Sequence, residues 1–134
     1  MGYLASLSRA LIGEPLPLPE RITSKYPELT GVRLRRGGLP PRIGGWMLGQ
    51  ATVAAITLRR TIFFGAHTSI DAALLLHEFR HVEQFLERRS FPLRYIWESL
   101  RRGYHQNRYE IDARKYAARR IVDAARVPPT EESQ

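Results

Sequence analysis

Two histidines stand four residues apart in Leu76–Gln84, LHEFRHVEQ, with a glutamate directly after the first. In a helix, residues at that spacing lie one turn apart on the same face. His77 and His81 can therefore reach one ion. Imidazole nitrogen suits zinc, and two histidines on one rigid helix pre-set half of a tetrahedral site. Glu78 is turned by about 100° from His77, which puts it beside such an ion rather than on it. There it can take a proton from water whose pKa zinc lowers to about 7. The competing reading is a helix with two ordinary polar histidines, because the motif also arises by chance. The preceding run IDAALLL favours a helix packed into the domain over a surface one.

A zinc site needs a third protein ligand. The chain has no cysteine, which excludes thiolate ligands, thiol catalysis and disulfides. His67, His105 and the acids remain. A glycine followed by a third histidine does not come after His81, since VEQFLERRSF holds neither. His105 falls in the loop GYHQN, and Glu110 falls in NRYEIDA, in the first turn of the last predicted helix. Asn107-x-x-Glu110 also reads as a capping box, with Glu110 reaching back to the cap. One carboxylate cannot fully satisfy both roles.

Several elements must position these residues. Residues 3–12 read as a short amphipathic helix, with Leu4, Leu7, Leu11 and Ile12 on one side. The prolines of GEPLPLPE argue against regular structure there, giving an arm over residues 1–20 with a Pro-rich hinge that could fold over a cleft. TGVRLRRGG alternates as a half-buried strand, and GGLPPRIGG reads as a loop. Val53–Leu58 and Thr61–Phe64 read as a hairpin or one bent strand. The motif helix is expected from a Thr68 or Ser69 cap to about Arg89, with Asp71 in its first turn. A second helix begins at Ser90 and Pro92, carries Leu93, Ile96, Trp97 and Leu100, and stops at Gly103. The third runs from Asn107 to about Ala125. Strands followed by three helices predict an α+β fold with segregated layers and a small antiparallel or mixed sheet. Residues 21–127 form one domain, and residues 128–134 a flexible tail.

His77-Glu78-x-x-His81 followed by Glu110-x-x-Ala113 on a later helix resembles the gluzincin zinc metallopeptidases. The short chain, HEFRHVEQ and GYHQNRYEIDA resemble in particular the minigluzincin-type domains, compact bacterial metallopeptidase-like domains of zincin-like fold. The resemblance covers about Ala54 to Ala118, and residues 1–45 carry no matching motif. It implies that His77, His81 and Glu110 are the zinc ligands and Glu78 the general base. It also implies a peptide or protein substrate, held by strand addition at the edge of the Val53–Phe64 sheet. His105 is the alternative third ligand, in the manner of other short H-E-x-x-H families. In full-size gluzincins a Tyr or His from a further helical domain stabilises the oxyanion. This chain has no room for that domain, leaving Tyr104, His105 and Tyr109 as substitutes. Gln84, one turn beyond His81, can stand behind a ligand or simply be a satisfied buried amide. Tyr95, Trp97 and Tyr104 read as core or rim, and His67 as exposed.

The 134 residues suffice for one domain, and 43% of them are hydrophobic, enough for a core. The formal charge is +8, and almost all the positive charge is arginine, with Lys25 and Lys115 the only lysines. Such a surface can attract nucleic acid. A non-catalytic zinc-stabilised interaction module and an arginine-rich nucleic-acid-associated protein are the rival functional readings. The N-terminus lacks a basic region and a small-x-small cleavage site, and no apolar run reaches spanning length. The expectation is a cytoplasmic protein with no membrane partner.

Overall fold

Alternating Arg33-Leu34-Arg35-Arg36 puts Leu34 into the core and leaves Arg33 in solvent, as a strand with one covered face requires. This strand, β2 (Arg33–Arg36), lies inside a four-stranded mixed sheet in the computed structural model, which describes residues 2–47 and 54–126. The strand order is β1 (Glu14–Leu16), β2, β4 (Thr61–Phe64), β3 (Ala55–Leu58). β1 pairs antiparallel with β2, β2 pairs parallel with β4, and β4 closes an antiparallel hairpin with β3. The fold is α+β. Ile62, Phe63 and Phe64 of the interior strand β4 are all buried, so this strand is covered on both faces. The hairpin turns through Arg59 and Arg60, with Arg59 at φ 56. The expected start of this strand at Val53, and the 128–134 tail, lie outside the described residues.

Two segments depart from expectation. GEPLP contributes β1, because β1 is an edge strand and a proline there withholds an N–H from no partner. GGLPPRIGG is not a loop. It supplies most of helix α3 (Leu39–Met47), with Pro40 and Pro41 in the first turn, where their missing N–H groups would be unpaired anyway. Helices α1 (Gly2–Ile12) and α2 (Glu20–Lys25) also precede or interrupt the strands, so the layers are less segregated in sequence than expected.

The N-terminal arm is tied to the sheet edge farthest from β3. Arg35 donates from Nε to the Ile12 carbonyl at 2.7 Å and from Nη2 to the Gly13 carbonyl at 3.1 Å, satisfying the end of α1. Gly13 (φ 70) and Gly38 (φ 84) let two chain segments touch. A Cβ on Gly13 would stand 2.3 Å from the Arg36 carbonyl oxygen, and one on Gly38 2.6 Å from the Gly13 nitrogen.

Three helices follow the hairpin: α4 (Ala72–Glu87), α5 (Phe91–Arg102) and α6 (Arg108–Arg126). The cap of α4 is Asp71, whose carboxylate accepts from the Leu74 N–H at 2.8 Å. Thr68, an expected cap, instead donates its hydroxyl to the Ala54 carbonyl, and the Thr68 carbonyl accepts from Arg36. Arg36 thereby fixes the loop that aims α4 across the sheet. Leu75, Leu76 and Val82 of α4 pack with Phe64, Leu29 and Tyr26 in the main core. Small Ala113 and Ala117, both buried, let α6 approach closely.

Arg120 of α6 clamps the Pro27–Gly31 turn, donating to Glu28 at 2.5 and 3.2 Å and lying 5.2 Å over the Tyr26 ring. Burial raises the Glu28 pKa, but the hydrogen bonds it accepts and the charge of Arg120 together outweigh that and bring it below 4.5. A depressed carboxylate stabilises the fold above its unfolded pKa, and that contribution is lost as pH falls through the folded value. Glu28→Gln is therefore expected to lower stability at pH 7 by less than about 1 kcal/mol, as for a partly exposed pair. Its difference from wild type should vanish in acid. Urea titrations at pH 7 and pH 3 measure this, and a difference that grows in acid would contradict it.

Candidate metal centre

His77 and His81 project from α4 on successive turns and meet the start of α6. Nε2 of His77 stands 2.9 Å from Oε2 of Glu110, and Nε2 of His81 stands 3.0 Å from Oε1 of the same carboxylate. Three donors of a tetrahedral zinc, each at about 2.0–2.1 Å, stand about 3.3 Å apart. Each of the two histidine nitrogens already stands near that distance from an oxygen of the Glu110 carboxylate. The capping reading of Glu110 fails. Asn107 caps α6 by itself, its Oδ1 accepting from the Tyr109 N–H at 2.9 Å, while its own N–H bonds to the Tyr104 carbonyl. Glu110 is left free to face the histidines.

A second carboxylate borders the pair. The ligating atoms of His77, Glu78 and His81 lie within 4.8 Å of one another. Glu78 is held differently from Glu110, because its Oε2 accepts the Thr57 hydroxyl of β3 at 2.8 Å. One carboxylate thus touches both rings and the other is tethered to the sheet beside them.

Proton placement follows from Gln84. Its Nε2 donates to the Tyr109 carbonyl at 3.1 Å and to Asp112 at 2.9 Å, so its Oε1 must face His81 Nδ1, 2.7 Å away. Nδ1 therefore carries a proton. Nε2 of His81 then faces a second acceptor, Glu110 Oε1. Two acceptors at the two ring nitrogens leave two solutions, an imidazolium or a cation met by the Nε2 lone pair. The pocket is built to hold positive charge at this point, and the donor set of two imidazoles and a carboxylate fits zinc.

The charges agree with this reading. Burial alone would raise the Glu110 pKa, but hydrogen bonds from His77 and His81 hold it well below the usual carboxylate range. Burial lowers the His81 pKa, but the hydrogen bonds to Glu110 and Gln84 and the charges of Glu78 and Glu110 together raise it above its ordinary value. Burial pushes the Glu78 carboxyl up, against the pull of the two histidines. A raised pKa brings a general base closer to neutral operating pH.

Two residues that sequence reasoning did not assign belong to the site. Tyr95 of α5 donates its hydroxyl to Glu110 Oε1 at 2.6 Å, and burial together with the Glu110 charge keeps that phenol protonated. Thr57 was signalled only as a polar residue in the otherwise apolar strand AITL. Tyr95 had no local signal, since its partner lies on another helix. His105 is exposed at the cleft rim and contributes its carbonyl to Arg114 at 2.7 Å. Among the described residues the group with donor atoms mutually within 4.8 Å includes neither His105 nor Glu110, and it is the direct contacts with both histidine rings that bring Glu110 in. The Tyr109 hydroxyl accepts from Arg108, leaving Tyr104 as the phenol that lines the cleft.

The cleft measures about 800 Å³ and is bordered by Ala54, Ala55 and Ile56 of the β3 side, by His77 and Glu78, and by Tyr104, His105 and Arg114. No described residue of the 1–20 arm lines it. Gln84 gives a direct test of the proton argument. Gln84→Leu removes the acceptor from His81 Nδ1 and is expected to weaken zinc binding about 10–100-fold, measured by competition with a chelating indicator. Unchanged affinity would remove the amide from the site.

Comparisons with protein-family models, with curated proteins and with solved structures find no match for this chain, so its functional reading rests on the geometry of the site.

Proposed function

We propose that the protein is a small zinc-dependent metallopeptidase of gluzincin type. The observation that carries this reading is the convergence of His77 and His81 on Glu110 at 2.9 and 3.0 Å, with Glu78 tethered alongside. His77, His81 and Glu110 are the zinc ligands. When bound, zinc polarises a peptide carbonyl and acidifies water. Glu78 takes the proton from the attacking water and delivers it to the leaving amine. Tyr95 and Gln84 hold Glu110 and His81 in orientation. Tyr104, a partly exposed phenol whose pKa partial desolvation and the nearby carboxylates raise further above neutrality, is the candidate donor to the developing oxyanion.

β3 is the edge strand on the cleft side among the described residues, so its outer backbone groups can receive an extended peptide by strand addition. No described helix is long and apolar enough to cross a membrane, and the cytoplasm is the compartment proposed. The test is elemental mass spectrometry of the purified chain together with a peptide-library digest. About one zinc per chain with cleavage supports the reading. Zinc without cleavage would favour a non-catalytic zinc-stabilised module, and no zinc after reconstitution would dismiss both.

A further inference from the structure

Helix α5 is packed with its polar side inward. The face turned to the protein carries Phe91, Tyr95, Glu98 and Ser99, and three of these four are polar. Tyr95 bonds Glu110, Ser99 accepts from Asn107, and Glu98 is buried beside Arg102 and Arg108. The opposite face carries Leu93, Ile96, Trp97 and Leu100, spaced i, i+3, i+4, i+7. They occupy an arc of roughly 100°. Leu93 is 74% exposed, Trp97 62% and Leu100 78%. An unburied stripe of this size on a helix that has turned its polar residues inward is not a packing remainder.

Its surroundings specify the partner. Arg94 and Arg101 border the stripe, and Arg88, Arg89 and Arg102 lie at the two helix ends, all exposed. The only acid of α5, Glu98, is buried. Glu87, just before the helix, is engaged by Arg80. An apolar ridge with an interfacial tryptophan and an arginine fringe matches a helix lying in the plane of an anionic bilayer. A second copy of this chain would bring the same arginines and the same net charge of +8 against them. Nucleic acid would use the arginines but offers nothing to a ridge of Leu, Ile and Trp.

We propose that the outer face of α5 docks on an anionic phospholipid membrane surface, with the helix lying flat rather than inserted. The inner face of the same helix supplies Tyr95 to Glu110. Docking therefore holds the metal centre about one helix diameter, ~10 Å, from the lipid surface. The proposal stands independently of zinc and of peptide hydrolysis.

Vesicle co-sedimentation of the full chain tests it, with phosphatidylglycerol–phosphatidylcholine vesicles against pure phosphatidylcholine. Partitioning at least about tenfold stronger onto the anionic vesicles is expected, weakening with salt. Leu93→Ser with Trp97→Ser should reduce it a further tenfold or more, and Arg94→Glu with Arg101→Glu should do the same. Both variants alter exposed residues and should keep the wild-type melting temperature and zinc content. No partition onto anionic vesicles overturns the proposal, as does partition that the Leu93/Trp97 variant leaves intact. A dimer in sedimentation equilibrium that this variant dissolves, without vesicle binding, assigns the face to a second copy. Binding of duplex DNA but not vesicles assigns it to nucleic acid.

Discussion

Glu78→Gln should retain about one zinc per chain and lose at least a hundredfold in peptide hydrolysis, within the ~10²–10⁴ typical of a positioned general base. The amide has the shape of the carboxylate and its carbonyl can still accept from Thr57. It cannot take a proton from water. Stability supplies an independent check. Burial raises the folded pKa of Glu78 above 4.5, so its ionisation opposes folding as pH rises past the unfolded value. In the metal-free chain the amide removes that penalty. The melting temperature of Glu78→Gln at pH 7 should equal or exceed that of wild type treated with chelator. A variant that keeps full turnover would eliminate Glu78 as the base.

Glu110→Ala should do the reverse, losing the metal and weakening the fold together. Glu110 is 2% exposed and faces His77, His81 and Tyr95. Truncation leaves a buried imidazole and a buried phenol without their shared acceptor. The cost expected for breaking such a buried charged pair is about 3–5 kcal/mol, and zinc, which stabilises only the folded state, no longer offsets it. Because the Glu110 pKa is depressed, its contribution is present above pH 4.5 and fades as pH falls through the folded value. The gap between variant and chelated wild type in urea unfolding should therefore narrow in acid. Retention of one zinc per chain by Glu110→Ala would mean that another residue completes the site.

The parts of this site that sequence discloses are those whose geometry is local. His77, Glu78 and His81 lie within one and a half turns of one helix, and helical spacing dictates their relation. Glu110 needed a resemblance, because its approach depends on how α6 lies on α4, and its capping-box spacing offered an equally local alternative. Tyr95 and Thr57 were out of reach for the same reason, since each acts across elements distant in sequence. The strands show a similar limit. Leu34 alternates visibly, but the parallel pairing of β2 with β4 spans a connection that contains α3 and β3. Proline misled twice. In Pro15 it sits on an edge strand, and in Pro40 and Pro41 on a helix start, the two settings where the missing N–H does no harm. For α5, periodicity located the apolar stripe correctly but could not say which side the protein would cover.

The polar contacts between α4 and α6 also act as a vernier. His77 and His81 read Glu110, while Gln84 and Arg80 both read Asp112, two residues on. Apolar surfaces tolerate sliding, since leucine meets alanine nearly as well one turn along. These marks do not. A slip of 5.4 Å would bring Ala113 or Arg114 opposite the two histidines, an unpaired ring in one case and a like charge in the other. α4 and α6 can thus seat in a single alignment, chosen by the same contacts that bring His77 and His81 against Glu110, so registering the two helices and assembling the candidate site are one event.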